Sequence, residues 1–404
     1  MDDRRFDELS RRVGALALPR LPRRGVLGFL GVASLAGTLG VALEPQLAAA
    51  AKCKDEGKKC DKKKCKKKDK KCCCKNLKCK NGRCEAKGPT CLTDADFADE
   101  WINFDSTPGP DTFNAPWGID TDPDGNVYVT DRNNERVLVF NRNGGLRDEF
   151  GEEGEGGNEF DDPRGIGFNL NNNDNERLYV ADPLQNDNDD RIRRFIGDLN
   201  DQDFGSNSAD LGEDTGENDI SPFGVAIDPD NRVWVVNQSV PGLIFLFDRN
   251  GGFVATFEPD LTASPGDDVL DDPEGIAVFE DDDGNDFVFV ADTDHNRIIK
   301  FEHVSNDREN GLEYVTEVGN SDGSSGNGNR EFSQPTGLDV DECGNVWVAD
   351  TGNNRISVFN KKLEFIDNFT SSLDQPTGVA LGPDEDVLYV TDSANNRVVV
   401  FDLT

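Results

Sequence analysis

Histidine is nearly absent from this chain: His295 and His303 are the two among 404 residues. Two imidazoles cannot build a three-histidine metal site, and acid–base relays that depend on histidine are nearly excluded. There is one methionine, and tyrosine and tryptophan number four each. Mean hydropathy is −0.62. A single long apolar stretch runs from Gly25 to Leu43, so a polytopic membrane protein is excluded. Lysine is scarce where acid is abundant. Residues 92–404 hold three lysines (Lys300, Lys361, Lys362) and sixteen arginines against 69 acids.

Charge divides the chain into three parts. Residues 1–51 carry a net +2, residues 52–91 a net +12 and residues 92–404 a net −50. The large acidic part is expected to repel nucleic acid and anionic membranes and to attract divalent cations or basic partners.

Residues 1–51 have the order of an export signal: an Arg-rich start, the apolar stretch, then Ala48 to Ala51. Arg23-Arg24-Gly25-Val26-Leu27 resembles a twin-arginine signal, which implies export of a folded protein. Cleavage near Ala50 would leave no stable membrane span and an extracellular or cell-surface protein. An uncleaved single anchor is the alternative.

Residues 52–91 hold nine of the ten cysteines: Cys53, Cys60, Cys65, Cys72, Cys73, Cys74, Cys79, Cys84 and Cys91. In an exported chain that density reads as a disulfide-rich segment, because too few apolar residues are present for a core. The spacing of Cys53, Cys60, Cys73, Cys74, Cys79 and Cys84 resembles small knottin-like modules, with Asn81-Gly82 suited to a hairpin turn. A thiolate metal cluster and a cationic tether are competing readings. Nine is odd, so one cysteine is left to meet Cys343, to pair with another chain or to stay free. The sixteen lysines here suit an anionic cell-surface polymer, or the chain's own acidic part.

The remainder is repetitive. A Pro-x-Gly followed by an apolar strand begins at Pro116, Pro163, Pro222, Pro273, Pro335 and Pro376, at spacings of 47, 59, 51, 62 and 41. Each repeat reads as four short strands with Asp- and Gly-rich turns and no helical period. Six such repeats specify an all-β, six-bladed β-propeller over residues 92–404. The last repeat stops after its third strand. Phe97 to Phe104 is therefore expected to supply the outer strand of blade six.

Ala349-Asp-Thr-Gly-Asn-Asn-Arg-Ile356, Thr391-Asp-Ser-Ala-Asn-Asn-Arg-Val398 and Ala291-Asp-Thr-Asp-His-Asn-Arg-Ile298 resemble NHL repeats. The resemblance spans about 300 residues and implies the same six blades. Blade three departs from it, with Asn237 in place of Asp and Pro241-Gly-Leu where Arg is expected; blade two carries an expanded loop from Pro183 to Asp190.

Four constellations could carry function. Asp131/Arg136, Asp182/Arg191, Asp292/Arg297, Asp350/Arg355 and Asp392/Arg397 recur in five blades. Repetition favours structural ion pairs that pin the loops over a carboxylate ring. The Asp-rich turns at Asp122, Asp228 and Glu280 offer carboxylates to calcium, yet Asp-Gly and Asn-Gly are what hairpins need in any case. The two histidines bring no third ligand. The middle residues of the Pro-x-Gly turns are Trp117, Arg164, Phe223, Glu274, Thr336 and Thr377, and they vary. If every turn opens an inner strand, they ring one mouth of the central channel as a ligand-binding rosette.

Two function classes follow. One is an exported binding or scaffold propeller with protein or glycan contacts at the mouth and no required cofactor. The other is a metal-dependent lactonase or esterase of the gluconolactonase-like propeller type, which the fold resemblance allows. There Glu274 and Asn237 would hold a divalent cation such as calcium. The missing nucleophile–base arrangement favours the first.

Overall fold

The computed structural model describes residues 77–80, 83–86, 95–101 and 112–403, apart from 155–158, 172–174, 184–190, 198–220, 239–240, 250, 265–268, 282 and 307–308. The chain divides into two units, Met1–Lys87 and Gly88–Thr404. In the first, Leu77–Lys80 and Arg83–Ala86 pair antiparallel with Cys79 opposite Cys84. The export signal and Cys53, Cys60, Cys73 and Cys74 lie outside the described residues, as do the side chains of Cys79 and Cys84.

The second unit is a ring of six antiparallel sheets. Blade one is Pro116–Thr121, Val127–Asp131, Arg136–Phe140 and Leu146–Phe150. Blade two shows three described strands, Ile166–Asn171, Asn175–Asp182 and Arg191–Gly197; blade three comprises Pro222–Ile227, Val233–Asn237, Leu243–Phe247 and Phe253–Phe257. Blade four, with the longest outer hairpin, comprises Pro273–Glu280, Asp286–Asp292, Arg297–Asn306 and Glu309–Gly319; blade five comprises Pro335–Val340, Val346–Asp350, Arg355–Phe359 and Phe365–Phe369. Blade six comprises Pro376–Leu381, Val387–Asp392 and Arg397–Leu403. Its outer strand is Ala95–Trp101, paired antiparallel to Arg397–Leu403 with Trp101 opposite Val398. The segment before the first repeat thus closes the ring.

Strand burial follows from this geometry. Second and third strands are covered on both faces by adjacent blades, so Val127–Asp131, Val233–Asn237 and Arg355–Phe359 are buried at every position. Such strands read as continuous apolar runs rather than alternation. The core is accordingly a set of layers between blades. One unites Trp234, Val236 and Ile244 of blade three with Ile276, Val290 and Ile299 of blade four.

The repeated Pro-x-Gly has two physical jobs. Register slips between Pro116 and Ile119, Pro222 and Val225, Pro335 and Leu338, and Pro376 and Val379. That bulge re-aims the middle residue out of the ladder. The glycine allows the blades to touch. A Cβ on Gly118, Gly165, Gly224, Gly275, Gly337 or Gly378 would run into the carbonyl oxygen of Arg164, Phe223, Glu274, Thr336, Thr377 or Trp117, respectively. Each repeat's glycine abuts the next repeat's middle residue, and the sixth meets the first. Threonines stitch the same junctions: Thr130, Thr293, Thr351 and Thr391 donate to the carbonyls of Arg164, Pro335, Pro376 and Trp117 at 2.7–2.8 Å.

Candidate functional site

The bulges bring four of the six variable residues into a working group at the channel mouth. The Arg164 guanidinium lies over the Trp117 ring at 4.5 Å and the Phe223 ring at 4.4 Å, and the two rings meet edge to face at 6.1 Å. Arg132 adds a second guanidinium over Trp117 at 5.1 Å. Both arginines are tied to the buried Asp162, Arg164 through Nε at 2.9 Å and Nη2 at 2.6 Å. Glu274 accepts from Gln238 Nε2 at 3.3 Å. Burial pushes its carboxyl up to about 7; Arg164 opposes the rise, and Asp272 and Asp294 add to it. Near neutral pH this group can therefore donate a hydrogen bond as well as accept one.

Thr336 and Thr377 sit on the same ring but are buried. Thr336 Oγ1 donates to the Thr377 carbonyl at 2.8 Å, and Thr377 Oγ1 to the Pro116 carbonyl at 3.1 Å. Their hydroxyls hold neighbouring blades together, and Phe223 is equally buried, so the contact surface is carried by Trp117, Arg164 and Glu274.

The recurrent Asp and Arg form buried pairs at the loops. Arg136, Arg191, Arg297, Arg355 and Arg397 donate through Nε to Asp131, Asp182, Asp292, Asp350 and Asp392 at 2.8, 3.1, 2.6, 2.7 and 2.6 Å. The other carboxylate oxygen accepts a backbone N–H from the preceding loop, such as Ser333 onto Asp350 at 2.8 Å. His295 takes the place of Asn353 and Asn395 and, like them, bonds its own Asp, Nδ1 lying 3.0 Å from Asp292 Oδ2. The following asparagine adopts positive φ, and its Oδ1 reaches the next blade: Asn296 to Gln334 N–H at 2.8 Å, Asn354 to Gln375 N–H at 2.9 Å. In blades four, five and six the motif is thus a stitch to the next blade.

Asn237 explains the departure of blade three. It is buried, and its Oδ1 accepts the Ser221 N–H, as the aspartates do elsewhere. With no arginine at the matching position, the neutral amide avoids an uncompensated buried charge. This placement also tests the pair Glu274/Asn237 as cation ligands. Asn237 is enclosed with its oxygen engaged, and Arg164 already supplies a permanent positive charge beside Glu274. That donor set does not fit a divalent cation. Asp271, Asp272 and Asp294 can bring ligand oxygens within 4.8 Å of one another at the edge of blade four. In the turns, the carboxylates are consumed locally: Asp122 accepts from the N–H groups of Asp124 and Asn126 at 2.9 and 2.8 Å, and Asp228 from Arg232 N–H at 2.8 Å and Trp234 Nε1 at 2.8 Å.

Two further acids line the channel. Asp120 accepts the N–H groups of Phe168 and Thr121 at 2.6 and 2.7 Å; Asp339 accepts those of Leu381 and Val340 at 2.8 and 2.7 Å. Burial raises Asp120 to about 7 and Asp339 to about 6, and Asp339 itself contributes to the rise at Asp120. The repeats carried the signal for them. Four residues after the repeat proline stands Asp in blades one and five, against Gly167, Ala226, Ala277 and Ala380 elsewhere.

These raised groups have a stability consequence. The folded chain keeps protons on Asp120, Asp339 and Glu274 that the unfolded chain releases near pH 4. Their contribution is complete below about pH 4 and is lost as pH rises through 6 to 7. The melting temperature is expected to fall between pH 5 and pH 8. Asp120→Asn with Asp339→Asn should flatten that fall; an unchanged slope in the double variant would contradict the assignment.

Among the described residues, no helix is long and apolar enough to cross a membrane. Residues 113–140 match the NHL repeat family, and residues 247–394 match the SMP-30/gluconolactonase/LRE-like region. No curated protein matches the chain. Among solved structures, a gluconolactonase from Xanthomonas campestris is similar, at 14% identity and a TM-score of 0.53 over 79% of this chain and 99% of that one. An auxiliary nutrient binding protein from Bacteroides thetaiotaomicron is similar at 12% identity and 0.52, over 72% and 70%. A luciferin-regenerating enzyme is similar at 13% and 0.50, over 72% and 92%. At these identities the likeness establishes the fold, and the fold hosts both binders and enzymes.

Proposed function

We infer that this chain, a six-bladed β-propeller of the NHL and SMP-30/gluconolactonase type, is a binding module that takes a protein or glycan ligand at the channel mouth. The observation that supports it is Arg164 held between Trp117 and Phe223, with Glu274 alongside. A guanidinium clamped by Asp162 and two rings is ordered before any ligand arrives, so little entropy is lost on binding. Trp and Arg are the side chains that dominate interface energies. The C–H face of a sugar, or an apolar peptide side chain, stacks on Trp117, while Glu274 and Gln238 take its polar groups. The proposal includes export by the twin-arginine-like segment and contact of the Lys-rich residues 52–91 with an anionic cell-surface polymer.

Glycan and protein arrays probed with the exported chain would identify the ligand. Trp117→Ala is then expected to weaken binding about 10- to 100-fold, with a cooperative melt as the check on the fold because Trp117 also packs against the core of blades three and four. A ligand indifferent to both Trp117→Ala and Arg164→Ala would place the contact surface elsewhere.

The metal-dependent hydrolase reading rests on the 247–394 match, which includes Glu274. The closed position of Asn237 and the neighbouring guanidinium speak against it. Native mass spectrometry with and without chelator separates the two. One tightly held divalent ion per chain would favour lactone and ester assays over partner screens.

A further inference from the structure

The six inner strands run in the same sense along the channel, so successive positions form successive rings. One step beyond the glycines, Ile119, Ile166, Val225, Ile276, Leu338 and Val379 make an aliphatic waist that borders both the mouth and a second chamber. That chamber has a volume of about 170 Å³. Phe168, Ile227 and Val278 add apolar side chains, Asp120 and Asp339 are its two carboxylates, and polar atoms make up most of its exposed lining.

These two acids have backbone donors alone. Asp131, Asp182, Asp228, Asp292, Asp350 and Asp392 each pair with an arginine, and the buried Asp122 and Asp341 accept from the side chains of Asn126 and Asn345. Asp120 and Asp339 have no such partner among the described residues. The groups that act on them are backbone N–H donors and the acids Asp122, Asp339 and Asp341. Each of the four oxygens accepts one N–H, which leaves lone pairs for the lumen. Glu385 stands near Asp339, Asp341 and Glu342 and is itself raised to about 7, chiefly by burial.

We propose that this chamber is a second binding site, separate from the mouth, that takes a primary alkylammonium ion, its ammonium between Asp120 and Asp339 and its short alkyl tail against the aliphatic waist. The donor set discriminates against a metal. Calcium needs six to eight oxygens. Here two carboxylates already bonded to backbone are joined by Thr121, whose hydroxyl is committed to the Leu381 carbonyl at 2.8 Å. An ammonium needs only three acceptors, and its tail gains from leaving water. Binding fixes both acids in their ionised form.

Isothermal titration of the full chain with n-butylammonium chloride tests this, with n-butanol and calcium chloride as comparison ligands. One butylammonium per chain is expected, bound more tightly at pH 8 than at pH 5.5, with no heat from butanol. Asp120→Asn and Asp339→Asn should each weaken it at least tenfold. Ala277→Leu adds bulk at a lining position of blade four and leaves both acids in place, and it should abolish binding in a chain that melts cooperatively. Undiminished binding in Ala277→Leu or in both Asn variants would overturn the proposal, as would calcium that binds here and is not displaced by the amine.

Discussion

Gly275→Ala is expected to destabilise the propeller severely. The added methyl would overlap the Thr336 carbonyl oxygen and lie 3.0 Å from its carbon and 3.1 Å from Leu338 Cδ2. The obstacle is the backbone of the next blade, which cannot rotate away as a side chain could. Blades four and five must separate at the channel, and the closed ring transmits that displacement to every other junction. A cost of about 3 kcal/mol is expected, at the upper end for overpacking, with a fall in melting temperature of roughly 5–10 °C. Gly311→Ala is the control: a Cβ there meets nothing within 4 Å. Differential scanning calorimetry of both variants decides the matter. Equal melting temperatures would remove the close approach as the reason for the repeated glycine.

Removal of one partner of a loop ion pair should be equally damaging, and removal of both much less so. Arg297 and Asp292 are almost fully buried, and Arg297 also bonds Ser264 Oγ at 2.9 Å and the Val269 carbonyl at 3.0 Å. Asp292→Asn takes away the nearer of two counter-charges and leaves Glu317 at 3.2 Å from Nη1, at about 3 kcal/mol. Arg297→Leu takes the guanidinium away from the carboxylate. The combination Asp292→Asn with Arg297→Leu copies what blade three already does with Asn237. It should therefore cost clearly less than the two single changes together. The measurement is a double-mutant cycle in urea; strict additivity would mean that the pair is not coupled and that Asn237 is no compensation.

The fold was legible because its repeats announce themselves. Pro-x-Gly spacing, strand count and the missing last strand together specify six blades and their closure, and Ala95–Trp101 sits where that count requires a strand. The mouth was legible as a ring of positions but not as a mechanism. Trp117, Arg164 and Phe223 come from three blades, and only packing shows that the guanidinium lies between the two rings. Thr336 and Thr377 look alike with Trp117 in sequence. A short hydroxyl reaches the neighbouring carbonyl and Phe223 packs into the core, whereas Trp117 stays partly open, so equivalent positions take different roles. Asp120 and Asp339 passed unnoticed because an acid in an acid-rich chain carries little information until its surroundings are known.

The pairing of Trp101 with Val398 joins residues nearly 300 positions apart. During synthesis the partner of Ala95–Trp101 emerges only after the five intervening blades. Until then, blade six lacks its outer strand and the two ends of the incomplete arc have nothing to pack against. Ring closure is thus a late event with a large loop-closure entropy. Removal of the seven residues of the strand Arg397–Leu403 would leave Ala95–Trp101 with no strand to join, and convert a circle without edges into an open arc prone to association through its exposed strands.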